Sequence, residues 1–235
     1  MSEFSLYLAS ASPRRRALVQ SLGLPVTAGV SPVDEDALQQ AYTGPNDGLG
    51  EYLARQKALS AAQLLAHQGP PANLFVLGAD TTVLLDGRVL GKPADTTEAT
   101  HMLRSLRGRQ HTVVTGIALA RPAAPGMAPE LRSAHVATHV IMRPYGDDEI
   151  AAYVATGDPL DKAGAYGVQH DSFQPVARIE GCYTAVVGLP LCAVASLISA
   201  VTGLPVLPRT PSTPCPWSTG CRAPLPPFAQ ARAAR

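Results

Sequence analysis

The chain has 235 residues, of which 46% are hydrophobic, 16% charged and 5% aromatic, and this composition excludes a disordered, collagenous or fibrous protein. Residues 1–204 hold 15 basic and 18 acidic residues. This balance excludes a broad positive surface for duplex DNA, so no stable nucleic-acid partner is expected. The longest apolar stretches fall well short of the roughly 20 residues that span a bilayer, so we expect no membrane segment.

The first five residues, MSEFS, lack the basic and apolar segments of a secretion signal, so a cytoplasmic protein is expected. Four cysteines with no Cys-x-x-Cys spacing argue against a disulfide scaffold and a structural zinc site.

The hydrophobic pattern alternates between β-like runs and amphipathic helices, which indicates an α/β domain with mixed strand directions. In the first part of the chain the pattern predicts a strand at 4–9, a helix at 14–22, a short strand before Val33 and a long helix at 49–67. A strand at 74–79, a hairpin of 82–85 and 88–90, and a helix from the Asp95 cap to about Leu106 follow. The last predicted elements are strands at 111–119 and 135–142, a helix capped by Asp147 that runs to Ala155, and a helix from 188–190 to near Gly203. Residues 1–204 therefore form one folded unit. Residues 205–235 hold eight of the 22 prolines and are expected to be a disordered tail.

The first candidate group of functional residues is the turn Ser10-Ala11-Ser12-Pro13-Arg14-Arg15-Arg16, between the first strand and its helix. Hydroxyls, backbone N–H groups at a helix N-terminus and guanidinium groups together suit a phosphate. A capped helix with a solvated basic face explains the same residues, and the sequence leaves both interpretations open.

The second group is built around Asp80, where the predicted strand 74–79 ends. Carboxylates at strand ends often hold Mg²⁺, although an Asp that caps a turn is the simpler interpretation of this residue alone. Glu35, Lys57 and Lys92 supply further charges from three separate segments. Together they favour metal-assisted hydrolysis of a phosphoryl bond, in which carboxylates hold the metal or orient water and cations neutralise charge.

The third group is the segment 158–169, in which Gly164, Gly167 and Gln169 would allow a planar ligand to approach and to pair with an amide. A flexible loop is the alternative. His135 and His139 lie on a predicted strand, about 13 Å apart, and are interpreted as surface or core residues. Cys182 is interpreted as a passive thiol, because no partner arrangement for a nucleophilic cysteine is identifiable.

Six segments in this order resemble the Maf proteins over about Leu6 to Gly203: 8–15 (LASASPRR), 33–35 (VDE), 77–81 (LGADT), 91–93 (GKP), 161–169 (DKAGAYGVQ) and 187–191 (VGLPL). The resemblance implies a mixed, twisted sheet flanked by helices, with two lobes and a central cleft, as in inosine triphosphate pyrophosphatases. It also implies a homodimer and a nucleoside triphosphate pyrophosphatase that uses Mg²⁺ or Mn²⁺ and no organic cofactor. A role in removing unwanted nucleotides and a link to septum formation accompany the family.

By position, the resemblance assigns Asp80 as the proton acceptor and Glu35 as a ligand of metal or water, so both are candidate metal ligands. Lys92 is counted with these catalytic groups, and Ser10, Arg15 and Lys57 match groups around the triphosphate.

Arg14, Thr81 and Gln169 match the positions that distinguish the dTTP/UTP branch of the family from its 7-methyl-GTP branch, and they favour dTTP and UTP. Two departures from the family pattern, residues 170–174 and Cys182, are expected near the base pocket. The alternatives that remain are a 7-methyl-GTP-type enzyme, a phosphatase that removes the terminal phosphate, and a nucleotide-binding division regulator without turnover.

Overall fold

The computed structural model describes residues 4–124, 127–203, 206 and 229–230. Eight strands lie within these residues: β1 (Ser5–Ala9), β2 (Val26–Gly29), β3 (Leu74–Leu85), β4 (Arg88–Leu90), β5 (Gln110–Arg121), β6 (Glu130–Met142), β7 (Val176–Glu180) and β8 (Ala229–Gln230). They form one sheet in the order β2-β1-β3-β5-β6-β7, with β4 paired to β3 and β8 to β6. β1 is parallel to both β2 and β3, and every other pairing described is antiparallel. The predicted mixed α/β class is confirmed.

The described residues also form seven α-helices: α1 (Pro13–Gln20), α2 (Glu35–Ala41), α3 (Leu49–Ala66), α4 (Thr96–Leu106), α5 (Asp147–Ala155), α6 (Tyr183–Val187) and α7 (Leu191–Thr202). The predicted cap of α4 is confirmed, because Asp95 accepts the N–H of Glu98 at 2.8 Å and Glu98 accepts the N–H of Ala94 at 2.7 Å. α7 ends at Gly203, whose φ of 69° suits a glycine cap. None of the described helices is both long and apolar enough to cross a membrane.

Three predictions about elements were wrong in detail. β3 does not end at Asp80 but runs on to Leu85, because its pairing with β5 continues without a break through its polar residues. α5 is capped by Gly146, whose N–H donates to Glu149 at 2.8 Å, and Asp147 lies in its first turn. The pattern also missed α2, α6 and β7, which are short elements of five to seven residues.

The predicted disordered tail lies mostly outside the described residues. Of 205–235, the structure describes Val206 and Ala229–Gln230, and the latter pair with β6 at Ser133 and Arg132. The division into a domain at 1–204 and a tail therefore stays a prediction.

Helix α3 packs unusually close to the sheet because glycines remove the side chains between them. A Cβ on Gly78 would collide with the carbonyl oxygen of Ala54, and a Cβ on Gly116 would collide with the backbone of Gly50 and Glu51. Alanines on the same face of α3 complete the contact and are fully buried. The position of this helix relative to β3 and β5 is therefore set by backbone contact.

The opposite face of the sheet carries two separate apolar cores. One joins β1 and α7 to the first half of β3, and the other joins α4 and α5 to its second half. Between the two cores, Thr81 and Thr115 lie on the same face, and their hydroxyl oxygens are 3.0 Å apart. This polar interruption separates two lobes, which agrees with the predicted architecture.

Candidate active site

A gap along one edge of β3 locates the site. β5 occupies the other edge of β3 from Val76 to Leu84. On the edge opposite β5, β1 pairs with residues 74–77 and β4 pairs with residues 83–85. Residues 78–82 lie between these two partners, so Asp80 and Thr81 occur at a break in the sheet rather than at a strand end. Ligands bind at such breaks because side chains from several strands converge there.

Lys57 joins the two predicted carboxylates. Its ammonium nitrogen lies 2.7 Å from Oδ1 of Asp80 and 2.9 Å from Oε2 of Glu35. Lys57 and Asp80 are only 5% and 9% exposed, whereas the Glu35 side chain is 51% exposed. The close packing of α3 on β3 puts this lysine beside Asp80, and α2 begins at Glu35. Because Lys57 is buried, its charge offsets two negative charges that would otherwise repel each other.

Arg15 forms the second polar centre of the site. Its Nε donates to the carbonyl of Gly188 at 2.9 Å, and its terminal nitrogens donate to Thr81 at 3.1 Å and to Ser10 at 3.5 Å. Burial lowers the pKa of Arg15, while the negative charges of Asp80 and Glu35 act in the opposite direction. The arginine is therefore held with its guanidinium plane fixed at the head of α1.

Gly188 makes room for this arginine. Its φ is 125°, a conformation that L side chains rarely adopt, and a Cβ there would lie 3.3 Å from Nε of Arg15. The Thr81 hydroxyl, which Arg15 contacts, also meets Thr115, and Thr115 in turn donates to the carbonyl of Ala185 at 2.7 Å. These contacts connect the turn before α1 to the 185–188 segment.

The other end of the cleft is a loop between α5 and β7. It begins with two 3-10 turns, at Asp158–Asp161 and Ala163–Ala165. Gln169 is exposed on this loop and lines the cleft. Arg14 reaches toward the same loop from the α1 side, with a terminal nitrogen 3.8 Å from Oδ2 of Asp161. Lys92, at the end of β4, is exposed at the rim of the cleft.

The cleft has a volume of about 730 Å³, and all nine predicted site residues line it: Ser10, Arg14, Arg15, Glu35, Lys57, Asp80, Thr81, Lys92 and Gln169. This size suits one small ligand. Five basic and five acidic side chains line it, so its lining carries no net formal charge with histidine neutral. The structure therefore brings the predicted residues together, and their individual roles stay predictions.

Sequence reasoning missed three groups that support the site. The first is Gly188 as the acceptor for Arg15, a contact between residues 173 positions apart. The second is the pair of His111 and Tyr166, whose Nε2 and hydroxyl oxygen are 2.8 Å apart. Burial lowers the pKa of His111 to about 4, so this histidine is neutral. The third group is the hydrogen-bond network of Lys162 with Asp158 and Asp161. No local sequence motif predicts any of these contacts.

His135 and His139 both lie on strand β6, as predicted. His135 Nδ1 lies 2.7 Å from Oε2 of Glu51 and His139 Nδ1 lies 3.2 Å from Thr112. Across the part of the chain that the structure describes, no group of three or more His, Cys, Asp or Glu side chains is arranged to hold a metal. A cation held by Glu35 and Asp80 would therefore take its other ligands from water or substrate.

Of the two departures from the family pattern, one lies where it was expected. His170, Asp171 and Ser172 line the cleft beside Gln169. Cys182 is not among the described residues that line the cleft; it is buried, and its N–H donates to Thr138 at 3.1 Å. Cys182 therefore does not line the cleft itself, and its expected place near the base pocket stays a prediction.

The chain is similar to known proteins over most of its length. The family model described as Maf-like protein matches residues 5–201. A dTTP/UTP pyrophosphatase of Moorella thermoacetica is 47% identical over 204 residues, which are 87% of this chain and 98% of the relative. Proteins of the same name from Pelotomaculum thermopropionicum and a Geobacter species are 44% and 42% identical, over 82% and 87% of this chain and 94% and 99% of the relatives.

Proposed function

The chain belongs to the Maf-like protein family, and we propose that it is a hydrolase that converts dTTP and UTP to the nucleoside monophosphate and pyrophosphate. The observation that carries the proposal is the convergence of buried Lys57, Asp80 and Arg15 at the break in the sheet, in a chain 41–47% identical to proteins named dTTP/UTP pyrophosphatase. Modified pyrimidine nucleotides belong to the same substrate class.

The charge balance of the cleft supports a divalent cation. A triphosphate carries several negative charges. The cleft lining has no excess of positive charge with which to neutralise them. Glu35 and Asp80 supply the hard oxygen atoms that Mg²⁺ and Mn²⁺ prefer, and such cations use one or two carboxylates together with water and phosphate oxygens. When bound, the cation neutralises the charge that develops on the leaving pyrophosphate.

The residues of this chain then divide the work. Asp80 accepts a proton from the attacking water, and Lys57 holds the carboxylate of Asp80 in place through their 2.7 Å contact. Arg15 and Ser10 bind phosphate oxygens at the head of α1, where backbone N–H groups point outward. Lys92, which is exposed at the rim, adds a positive charge.

Gln169 and Arg14 act on the nucleoside. An amide both donates and accepts, so Gln169 pairs with O4 and N3–H of uracil or thymine. A carboxylate at this position would suit a cationic methylated guanine instead. Thr81, which contacts both Arg15 and Thr115, sets the shape of the passage between the two ends.

The test is pyrophosphate release by the purified full chain with Mg²⁺ or Mn²⁺ on dTTP, UTP, CTP, GTP and 7-methyl-GTP, with products separated. We expect dTTP and UTP to yield the monophosphate and pyrophosphate. Release of orthophosphate would identify a terminal phosphatase, and a preference for 7-methyl-GTP would overturn the assignment of Gln169. Failure to hydrolyse any of the five would overturn the proposal. The homodimer, the septum link and the cytoplasmic location stay predictions.

A further inference from the structure

A buried tyrosine holds the backbone of the base-binding loop. The N–H of Gly167 donates to the hydroxyl of Tyr153 at 2.9 Å, and that hydroxyl donates to Oδ2 of Asp158 at 2.6 Å. Tyr153 lies on α5 and is only 2% exposed. The contact fixes the peptide plane between Tyr166 and Gly167, two residues before Gln169, the proposed base-recognition residue.

Lys162 completes the network. Its ammonium donates to Oδ1 of Asp158 at 2.8 Å, to the carbonyl of the same residue at 2.7 Å and to Oδ1 of Asp161 at 2.6 Å. An ammonium has three hydrogens, and these three acceptors match them. Lys162 lines the cleft, yet its hydrogen bonds are directed into its own loop. The lysine is therefore committed to the loop rather than to a phosphate.

Two aromatic residues of the loop pack against the ring of Tyr153. Phe173 stacks on it at a centroid distance of 4.4 Å with 18° between the planes, and His170 meets it at 4.6 Å and 64°. These two residues belong to the stretch that departs from the family pattern. The stretch that looked anomalous in sequence thus packs against the residue that holds the loop.

The loop needs such support because its backbone is strained. Gly164 has a φ of 71°, which glycine adopts without strain, but Ala165, which has a side chain, has a φ of 61°. A non-glycine residue in this region costs about 1 kcal/mol or more and persists only where surrounding contacts hold it. Gln169 is exposed, so the direction of its amide depends on the backbone rather than on packing around the side chain.

We propose that Tyr153 is a positioning residue for pyrimidine recognition, acting through Gly167 on Gln169, with Asp158 and Lys162 fixing its hydroxyl. The inference rests on the proposed function. Burial and the hydrogen bond to Asp158 raise the pKa of Tyr153, so its hydroxyl stays protonated and donates to the carboxylate. Burial would raise the pKa of Asp158, but hydrogen bonds from Lys162 and Tyr153 outweigh this and lower it.

The experiment compares Tyr153→Phe with Tyr145→Phe. Tyr145 is a matched control because it is buried in the same core, and its hydroxyl donates to the carbonyl of Leu103 at 2.8 Å, away from the cleft. Each variant loses one buried hydroxyl. For Tyr153→Phe we expect kcat/KM on dTTP to fall about tenfold, mainly through KM, because the variant loses the hydrogen bonds to Gly167 and Asp158 and a binding contact is misplaced.

Selectivity distinguishes positioning from a merely structural role. The preference for dTTP over CTP should fall severalfold in Tyr153→Phe and stay at the parent value in Tyr145→Phe, with melting temperatures recorded for both. Asp158→Asn, which keeps the shape of the side chain, is the second variant and should reduce the same preference.

Equal losses on dTTP and CTP, or the same kinetics in both tyrosine variants, would overturn the inference while dTTP hydrolysis by the parent upholds the proposed function. A parent that hydrolyses no nucleotide would overturn both.

Discussion

At one end of the cleft, Asp80 and Lys57 stand on β3 and α3, which are in backbone contact, and both side chains are buried. At the other end, Gln169 is exposed on a loop that begins with two 3-10 turns and is held in shape by hydrogen bonds of Tyr153 and Lys162. Asp80 and Lys57 thus have little freedom, whereas the group assigned to the base depends on a loop. Catalysis requires fixed geometry at the reacting atoms, and recognition can be altered by changing a loop.

The largest effect should come from a change at the end of the cleft where Asp80 and Lys57 lie. Asp80→Asn removes the charge and basicity of the proton acceptor with little change of shape, so turnover of dTTP should fall by about 10²- to 10⁴-fold. Nucleotide binding, measured by calorimetry, should remain detectable. Asp86→Asn is the control: it makes the same change at the exposed β3–β4 turn, where Asp86 pairs with Arg109. Unchanged turnover in Asp80→Asn would sink the role assigned to it.

Disturbing the helix contact should affect both stability and turnover. Gly78→Ala places a methyl group against the backbone of α3, so the helix that carries Lys57 must shift. We expect a loss of about 1–3 kcal/mol in the free energy of unfolding and a fall in turnover of about tenfold or more. Gly146→Ala adds a methyl group with only an ordinary contact to Glu149, at the N-cap of α5 and away from α3, and should leave turnover unchanged. Normal turnover in a stable Gly78→Ala protein would contradict the account of α3.

At the loop end, a change should alter selectivity and leave stability alone. Gln169→Glu removes the amide donor, so kcat/KM for dTTP and UTP should fall about tenfold relative to GTP and 7-methyl-GTP. Melting temperature should stay within error, because the side chain is exposed. Gln68→Glu makes the same charge change on an exposed residue after α3. An equal loss on every nucleotide would show that Gln169 serves the loop rather than the base.

The smallest effect concerns the ion pair between Glu51 on α3 and His135 on β6. The hydrogen bond between His135 and Glu51 raises the pKa of the histidine and lowers that of the carboxyl, although burial opposes both shifts. The histidine's contribution is complete below its ordinary pKa of 6.5 and is lost as pH rises through its raised value. The contribution of Glu51 is complete above 4.5 and is lost as pH falls through its lowered value.

Because His135 is half exposed, the pair should contribute less than about 1 kcal/mol, or about 2–4 °C in melting temperature at most. We therefore expect the parent to lose up to this much between pH 6 and pH 9, and Glu51→Gln to lose less over the same range. Identical pH dependence of the two proteins would show that the pair contributes nothing measurable.

How far the sequence predicts this protein differs between the two ends. The turn before α1 was predicted correctly as a strand, loop and helix, because Ser12 and Pro13 are strong local signals for the start of a helix. Asp80 was identified as a key carboxylate but was misplaced at a strand end, because glycine and polar residues normally interrupt a buried strand. The segment 158–169 is a candidate for ligand binding because it contains Gly164, Gly167 and Gln169. Its composition fits a flexible loop as well, so composition could not decide between the two.

Local periodicity and the ordered motifs determined the class of fold, most of the longer elements and nine of the residues that line the cleft. The sheet topology decided the rest. It placed β1 and β4 on one edge of β3 and left a gap at Asp80, put Lys57 between two carboxylates 22 and 23 residues away, and brought Gly188 to Arg15. Such contacts join residues far apart in the chain, and their energy depends on the packing of whole elements, which no local pattern of side chains records.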